Sequence, residues 1–197
     1  MQVVILSGGL GTRLSEETKI TPKALVKIGN KPIIVHLIKY YQSFGYTDFI
    51  ICLGYKGNQI TNFFLTYCDG LSNIDLNKTV RLFDKSKKIG LVSTINPRSR
   101  FGVLSIDSKN NVLNFDEKSK NANTWINAGF FIFSKGIFKY IKGKNPIFER
   151  LPLISLSKKR QLIAYKHKGF WQCMDTLKDK IILTKIWKTS KAPWKND

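Results

Sequence analysis

The chain has 197 residues, of which 43% are hydrophobic, and its 33 basic and 13 acidic residues give a formal net charge of +20. This hydrophobic fraction, with 13 Phe, 7 Tyr and 4 Trp, excludes a disordered protein and predicts a single domain over residues 1–197. No apolar run approaches the ~18 residues of a membrane span, and the short apolar start does not have the pattern of a signal peptide, so we expect a cytoplasmic protein without a membrane partner.

The positive charge raises the hypothesis of a nucleic-acid partner, but its distribution does not favour one. Lysines occur singly or in pairs in almost every segment after Leu82. A scattered pattern of this kind is more typical of a solvated surface than of a docking groove. The same positive field would favour an anionic substrate.

The cysteines and histidines indicate neither a metal site nor a nucleophile. Cys52, Cys68 and Cys173 are widely spaced, without a CxxC pair or a histidine at ligand spacing, so we expect neither a disulfide framework nor a zinc site. We assign no catalytic role to His36, which lies in an apolar stretch, or to His167, which lies between lysines.

The first predicted elements are a strand, a loop, a helix and a second strand. Residues 2–7 are nearly all apolar, as in a strand that is buried on both faces of a parallel sheet. Helical spacing predicts a helix over 32–44 that Gly45 closes, and residues 48–53 predict a second buried strand. This order predicts an α/β fold: a Rossmann-like open, mixed but mainly parallel sheet with helices on both faces.

The connection between the next two predicted elements, a helix and a strand, is unusually short. A helix is predicted over 56–62 and a buried strand over 63–67, and only Asn62 is available as a turn between them. Helix-to-strand connections in α/β units usually take about 2–6 residues.

The remaining elements are clearer, and no internal repeat or linker interrupts them. Strands are predicted at 90–95, 102–106, 112–115, 130–133 and 162–165, and helices at 147–156, with Pro152 starting or kinking it, and at 179–189.

A glycine-rich loop follows the first strand and consists of Gly8, Gly9, Leu10, Gly11, Thr12 and Arg13. Its glycines let backbone N–H groups converge on an anion, while Thr12 adds a hydroxyl and Arg13 a charged fork for phosphate oxygens. Lys23 could fold back over the same ligand. The loop matches neither the dinucleotide fingerprint nor the P-loop pattern, so a purely structural turn remains an alternative.

Two acids are candidate metal ligands. Asp69 follows a buried strand, at the sheet edge where open α/β folds bind ligands, and Asp175 lies in an apolar neighbourhood. Two carboxylates brought together from distant segments suit Mg²⁺ on a nucleoside triphosphate. The alternatives are a turn at Asp69 and a helix cap at Asp175.

Glu117, next to Lys118 after a predicted strand, and Asn127 are candidates for binding a sugar, because Glu and Asn side chains bond to sugar hydroxyls. A charged pair at a strand end is more often simply solvated.

These motifs, in this order, resemble those of the sugar-1-phosphate nucleotidyltransferases, and in particular of the glucose-1-phosphate cytidylyltransferases. The matching stretches are 8–18, 22–23, 29–33, 52–57, 100–102, 115–118, 126–131, 169–176 and 191–195. The resemblance implies that glucose 1-phosphate attacks CTP with the help of Mg²⁺, giving CDP-glucose and pyrophosphate for nucleotide-sugar biosynthesis such as that of lipopolysaccharide O-antigen. Family members are often oligomers, so a homo-oligomer is also an expectation.

The resemblance also implies a role for each candidate. The nucleotide would contact Leu6, Gly8, Gly9, Leu10, Gly11, Thr12, Arg13, Lys23 and Cys68, with Arg13 and Lys23 as the catalytic charges. Asp69 and Asp175 would hold Mg²⁺, and Glu117, Lys118 and Asn127 would face the sugar phosphate.

The chain departs from the family pattern at several places. A long family segment, with a strand, a helix and a stretch that helps to bind the base, is missing near residues 60–66, which would reduce the core. Cys68 and Ala128 replace family glycines, and Leu151 replaces an acid. These departures keep open an inactive, truncated member that retains only nucleotide or anion binding.

Overall fold

The computed structural model describes residues 1–6, 21–52, 62–97, 103–116, 124–142, 147–189 and 191–195. The strands are β1 Gln2–Leu6, β2 Lys27–Ile28, β3 Lys31–Pro32, β4 Phe49–Cys52, β5 Asn62–Tyr67, β6 Gly70–Ser72, β7 Gly90–Ile95, β8 Val103–Ile106, β9 Val112–Asp116, β10 Ile126–Ser134, β11 Leu162–His167 and β12 Trp171–Cys173. The α-helices are α1 Ile33–Gln42, α2 Leu76–Ser86, α3 Leu151–Lys158 and α4 Leu177–Lys188, and 3-10 helices cover Lys23–Leu25 and Lys135–Tyr140. None of the helices in these ranges is long and apolar enough to cross a membrane.

Six strands form the central sheet in the order β11-β7-β10-β5-β1-β4. β1 runs parallel to both β4 and β5, and β11 runs parallel to β7. β10 is antiparallel to β5 and to β7. The predicted mixed, mainly parallel sheet is therefore confirmed.

Neighbouring residues of a strand point to opposite faces of the sheet. Both faces of this sheet are covered by apolar clusters. On one face, Val3 and Ile5 belong to a large apolar cluster that includes the buried side of α1. On the other, Val4 packs in a cluster with residues of β5 and β10, with Ile137 of the second 3-10 helix and with Leu156 of α3. This confirms the prediction of helices on both faces.

The connection between β4 and β5 has few residues for the two strands that it joins. These two strands are parallel and lie on opposite sides of β1, yet only residues 53–61 join them. Crossovers between parallel strands usually take a dozen residues or more. Residues 56–61 of the predicted helix lie outside the described residues. The prediction is wrong at Asn62, which begins β5 because it pairs with Ser134 of β10.

Two predicted helices have different starts. The helix predicted from Ile147 begins at Leu151, because Pro152 has no N–H group and fits only in the first turn of a helix. The last helix begins at Leu177, two residues earlier than predicted, with Thr176 as its N-cap.

The β2–β3 turn offers a test of packing. Gly29 has φ +64, and a Cβ there would overlap the indole of Trp187 on α4. Gly45 has φ +83 but nothing within 4 Å of such a Cβ. We expect Gly45→Ala to lower the free energy of unfolding by about 1–2 kcal/mol, the cost of the left-handed backbone alone. Gly29→Ala should lower it further, since the indole must also move.

Urea denaturation of the two variants and the wild type measures the difference. Equal losses for Gly29→Ala and Gly45→Ala would contradict the close packing of Trp187 on the turn.

Candidate active site

The side chain of Lys23 lies between the two predicted metal ligands. Its Nζ donates to Asp69 Oδ2 at 2.8 Å and to Asp175 Oδ1 at 2.7 Å. The three side chains are 15%, 29% and 27% exposed, so the group is sheltered and still reaches solvent. The structure therefore brings together three candidates that lie far apart in the sequence.

Backbone pairing explains why the two aspartates meet. Asp69 lies in the turn between β5 and β6, and β6 pairs with β12, with Gly70 opposite Cys173. Directly beyond this pair, the N–H of Met174 donates to the carbonyl oxygen of Asp69 at 2.7 Å. Asp175 is the next residue, so its side chain is positioned beside that of Asp69. The turn alternative for Asp69 is thus correct and is compatible with a role in the site.

The start of α4 fixes Asp175. Thr176 and Asp179 form a capping box, in which each side chain accepts from the backbone of the other. Asp179 Oδ2 also accepts from the N–H of Asp175 at 3.2 Å. The alternative that Asp175 caps the helix is therefore wrong: Thr176 does so, and one Asp175 oxygen bonds to Lys23.

Burial and neighbouring charges shift the pKa values of Lys23 and Cys173. Burial would lower the pKa of Lys23, but hydrogen bonds to Asp175 and Asp69 outweigh it and raise that pKa, so the ammonium stays charged. Burial, together with the charges of Asp175, Asp179 and Asp69, raises the pKa of the Cys173 thiol to about 12. Cys173 is therefore held as a thiol and is unsuited to act as a nucleophile at neutral pH.

Two predicted nucleotide contacts lie at the same sheet edge. Leu6 ends β1 and Cys68 follows β5, and the N–H of Cys68 donates to the carbonyl oxygen of Leu6 at 3.2 Å. Cys68 is 7% exposed, directly before Asp69. Both positions are compatible with the edge where parallel α/β sheets bind ligands.

Asn127, the described sugar-side candidate, lies near the start of β10. Its Oδ1 accepts from the N–H of Gly129 at 2.8 Å, within a bulge of the strand. Gly129 has φ +79, and a Cβ there would lie 3.0 Å from the ring of Tyr67. Asn127 thus lies close to Tyr67, the last residue of β5, and Tyr67 is two residues before Asp69.

The structure adds a polar pair that the sequence analysis did not predict. Tyr67 donates from its hydroxyl to Glu149 Oε1 at 2.6 Å, and its side chain also interacts with Asn127. Burial and the Glu149 carboxylate raise the pKa of Tyr67, so the phenol remains a donor. The available signal was that Glu149 is one of only 13 acidic residues in a lysine-rich chain.

Several predicted site residues lie outside the described residues, namely Gly8, Gly9, Leu10, Gly11, Thr12, Arg13, Glu117 and Lys118. Their roles stay predictions.

The donor set fits a magnesium ion that is shared with a substrate. The ammonium of Lys23 already occupies a cation position between two carboxylate oxygens. Among the described residues, no group of three or more His, Cys, Asp or Glu side chains could hold a metal by itself. Mg²⁺ is commonly held by one or two carboxylates, with phosphate oxygens and water completing its shell. The two aspartates would therefore hold it together with a nucleotide.

Curated relatives cover almost the whole chain. The glucose-1-phosphate cytidylyltransferase of Salmonella typhi is 34% identical, and the match covers 99% of each chain. The D-glycero-alpha-D-manno-heptose 1-phosphate guanylyltransferase of Campylobacter jejuni is 26% identical over 70% of this chain and 78% of its own. Relatives named for different bases thus match the same chain, with higher identity to the cytidylyltransferase.

A solved structure titled UDP-glucose pyrophosphorylase complexed with UDP-glucose superimposes on 96% of this chain and 99% of its own, with a TM-score of 0.68 and 15% identity. At this identity the likeness shows the fold alone.

The alignment lengths reveal a gap in this chain. The Salmonella typhi match spans 255 positions, whereas this chain has 197 residues, so at least 58 positions have no residue of this chain. The family match is also split, into residues 2–67 and 55–178. The two stretches overlap over residues 55–67, which contain most of the short connection and β5 itself.

That family is described as Nucleotidyl transferase, and its two matching stretches together cover most of the chain. The mixed sheet and the identity to a cytidylyltransferase over 99% of both chains agree with this match. The chain belongs to the nucleotidyl transferase family and is related to its sugar-1-phosphate members.

Proposed function

We propose that this protein transfers a cytidylyl group from CTP to glucose 1-phosphate, giving CDP-glucose and pyrophosphate. The observation that carries the proposal is the meeting of Lys23, Asp69 and Asp175 at the ligand-binding edge of the sheet. The choice of CTP and glucose 1-phosphate is supported by the 34% identity to the Salmonella typhi enzyme that is named for them.

The reaction is a single displacement at phosphorus. A phosphate oxygen of glucose 1-phosphate forms a bond to the α-phosphorus of CTP, and the bond from that phosphorus to the β-phosphate oxygen breaks. Pyrophosphate leaves with the electron pair. Such a transfer requires alignment of the two phosphates and neutralisation of their charge, with no covalent enzyme intermediate.

Each residue has a defined task in this proposal. Asp69 and Asp175 hold Mg²⁺, which neutralises phosphate charge when it is bound. Lys23 provides a mobile positive charge for the phosphates. The loop from Gly8 to Arg13 holds the triphosphate, with Leu6 and Cys68 beside it, and Asn127, Glu117 and Lys118 face the sugar phosphate. We further propose that the product supplies polysaccharide synthesis, such as that of O-antigen, in the cytoplasm.

The test is pyrophosphate release by the purified protein with Mg²⁺, CTP and glucose 1-phosphate. Parallel reactions replace CTP by UTP, dTTP, GTP or ATP, or replace the sugar phosphate, and a further reaction contains EDTA. We expect the highest kcat/KM with CTP and glucose 1-phosphate, and no release with EDTA. An absence of pyrophosphate with every pair would overturn the proposed activity.

A second candidate function is nucleotide binding without catalysis. The short β4–β5 connection and the 58 or more unmatched alignment positions favour it. Calorimetry separates the two candidates: heat of CTP binding without any turnover would support the inactive protein, and turnover would exclude it.

A further inference from the structure

A cation of the protein itself already balances part of the charge of the two aspartates. The Lys23 ammonium bonds to one oxygen of each carboxylate, at 2.8 Å and 2.7 Å, and its side chain is only 15% exposed. The distance between the two carboxylate oxygens therefore cannot exceed the sum of these two contacts. The ammonium thus stands between the atoms that would bind a divalent ion.

Mg²⁺ and the ammonium cannot occupy this position together. Mg²⁺ requires oxygen ligands at about 2.0–2.1 Å, and it would meet a unit positive charge between the same two oxygens. Repulsion at that separation in a sheltered site is several times stronger than in bulk water. Binding of the metal through these two oxygens therefore requires that the ammonium of Lys23 move away.

The surroundings of Lys23 allow its side chain to move while its backbone stays in place. Lys23 follows Pro22 and starts a 3-10 helix that contains the buried Ala24 and is followed by the buried Val26. The N–H of Val26 donates to the carbonyl oxygen of Lys23 at 3.2 Å, and the N–H of Leu25 donates to that of Pro22 at 2.8 Å. The lysine side chain, by contrast, is a compact charge on a flexible four-carbon stem.

We propose that Lys23 is an exchangeable counter-ion of the metal site: it holds the Asp69 and Asp175 carboxylates together in the free protein, and a divalent cation displaces it. The displaced ammonium is then delivered to the phosphates of the nucleotide. The protein groups of the exchange, Lys23, Asp69 and Asp175, are all described in this structure, and the destination of the ammonium rests on the proposed function.

A consequence is coupling between metal and nucleotide. A metal ion that binds alone must break two charge-assisted hydrogen bonds and leaves the ammonium without an anionic partner. When a nucleotide is present, its phosphates replace the lost carboxylate partners. Since binding linkage is reciprocal, each ligand strengthens the binding of the other by the same factor.

The first experiment measures Mn²⁺ binding to the free protein by electron paramagnetic resonance, without nucleotide or turnover. Lys23→Met retains the apolar stem and removes the competing charge, so we expect it to bind Mn²⁺ on the order of tenfold more tightly than the wild type. Lys27→Met, at an exposed lysine of β2, is the matched control and should bind as the wild type does. Equal or weaker Mn²⁺ binding by Lys23→Met would overturn the exchange.

A second measurement needs only the wild type, so it remains decisive if Lys23→Met does not fold. Acetic anhydride labels accessible lysines, and mass spectrometry compares the labelling of Lys23 with that of Lys27. We expect Mg²⁺ to raise Lys23 labelling several-fold relative to NaCl of equal ionic strength, with Lys27 unchanged. Unchanged Lys23 labelling would contradict the exchange, whereas labelling that rises without any pyrophosphate release would leave the exchange standing and reject the proposed activity.

Discussion

Asp69→Ala is expected to lower kcat for pyrophosphate release by about 10²–10³-fold, the range found when one group that stabilises transition-state charge is removed. The substitution removes one of the two proposed metal ligands. It also leaves the Lys23 ammonium with Asp175 as its remaining carboxylate partner in the described structure. The loss of the proposed metal ligand is expected to weaken the neutralisation of the phosphates, and the loss of a carboxylate partner to change where the Lys23 ammonium rests.

The matched control is Asp84→Ala, which removes an exposed carboxylate from α2. It should retain the kcat of the wild type, because net charge changes equally in both variants while the site changes in only one. Mn²⁺ titration of the free proteins should show weaker binding for Asp69→Ala and unchanged binding for Asp84→Ala. A kcat for Asp69→Ala near that of the wild type at saturating Mg²⁺ would contradict the assignment of Asp69 as a metal ligand.

The long buried strands could be predicted from the sequence because apolar runs that end at glycine or polar residues mark them. Strand β7 has the predicted bounds, and β1 and β4 lie within one or two residues of theirs in the described chain. β2, β3, β6 and β12 have only two or three residues each. Such short strands have no periodicity to detect. β2 and β3 pair across a local turn, whereas β6 and β12 exist through tertiary pairing.

Helix α2 was missed although signals for it were present. Asp75 caps it by accepting from the N–H of Lys78, and its buried residues Leu76, Thr79 and Phe83 follow helical spacing. The remaining residues are mostly polar, so few apolar residues mark the buried face of the helix.

The site shows the same division between local signals and tertiary pairing. Asp69 and Asp175 were predicted as a pair from their sequence settings and then from the resemblance. Their meeting depends on the register of β6 with β12, two strands too short to predict. The ammonium of Lys23 reaches them from a third segment, the 3-10 helix Lys23–Leu25, so its position depends on tertiary packing as well. The bond between Tyr67 and Glu149 likewise joins segments 82 residues apart, and no local pattern marks it.

The segment that carries Lys23 is held from the far end of the chain. Trp194 is 2% exposed, and its indole N–H donates to His36 Nδ1 at 3.3 Å. The other ring nitrogen of His36 lies 3.0 Å from the carbonyl oxygen of Ile28, to which the neutral tautomer donates. Burial lowers the pKa of His36 and so favours the neutral ring that this arrangement needs. The C-terminal tail is thereby linked to β2, which directly follows the turn formed by the 3-10 helix of Lys23.

Trp194→Ala should therefore lower the free energy of unfolding by about 3–5 kcal/mol, the usual cost of emptying a buried indole site. Trp194→Phe keeps a ring against Phe170 but loses the N–H donor, so about 1–2 kcal/mol is expected. Trp125→Ala is the control, because that ring is only half-buried, beside the ammonium of Lys166, and should cost less than either. Urea denaturation gives the three values. If Trp194→Ala cost no more than Trp125→Ala, the tail would not be stabilising the turn that presents Lys23 to the two carboxylates.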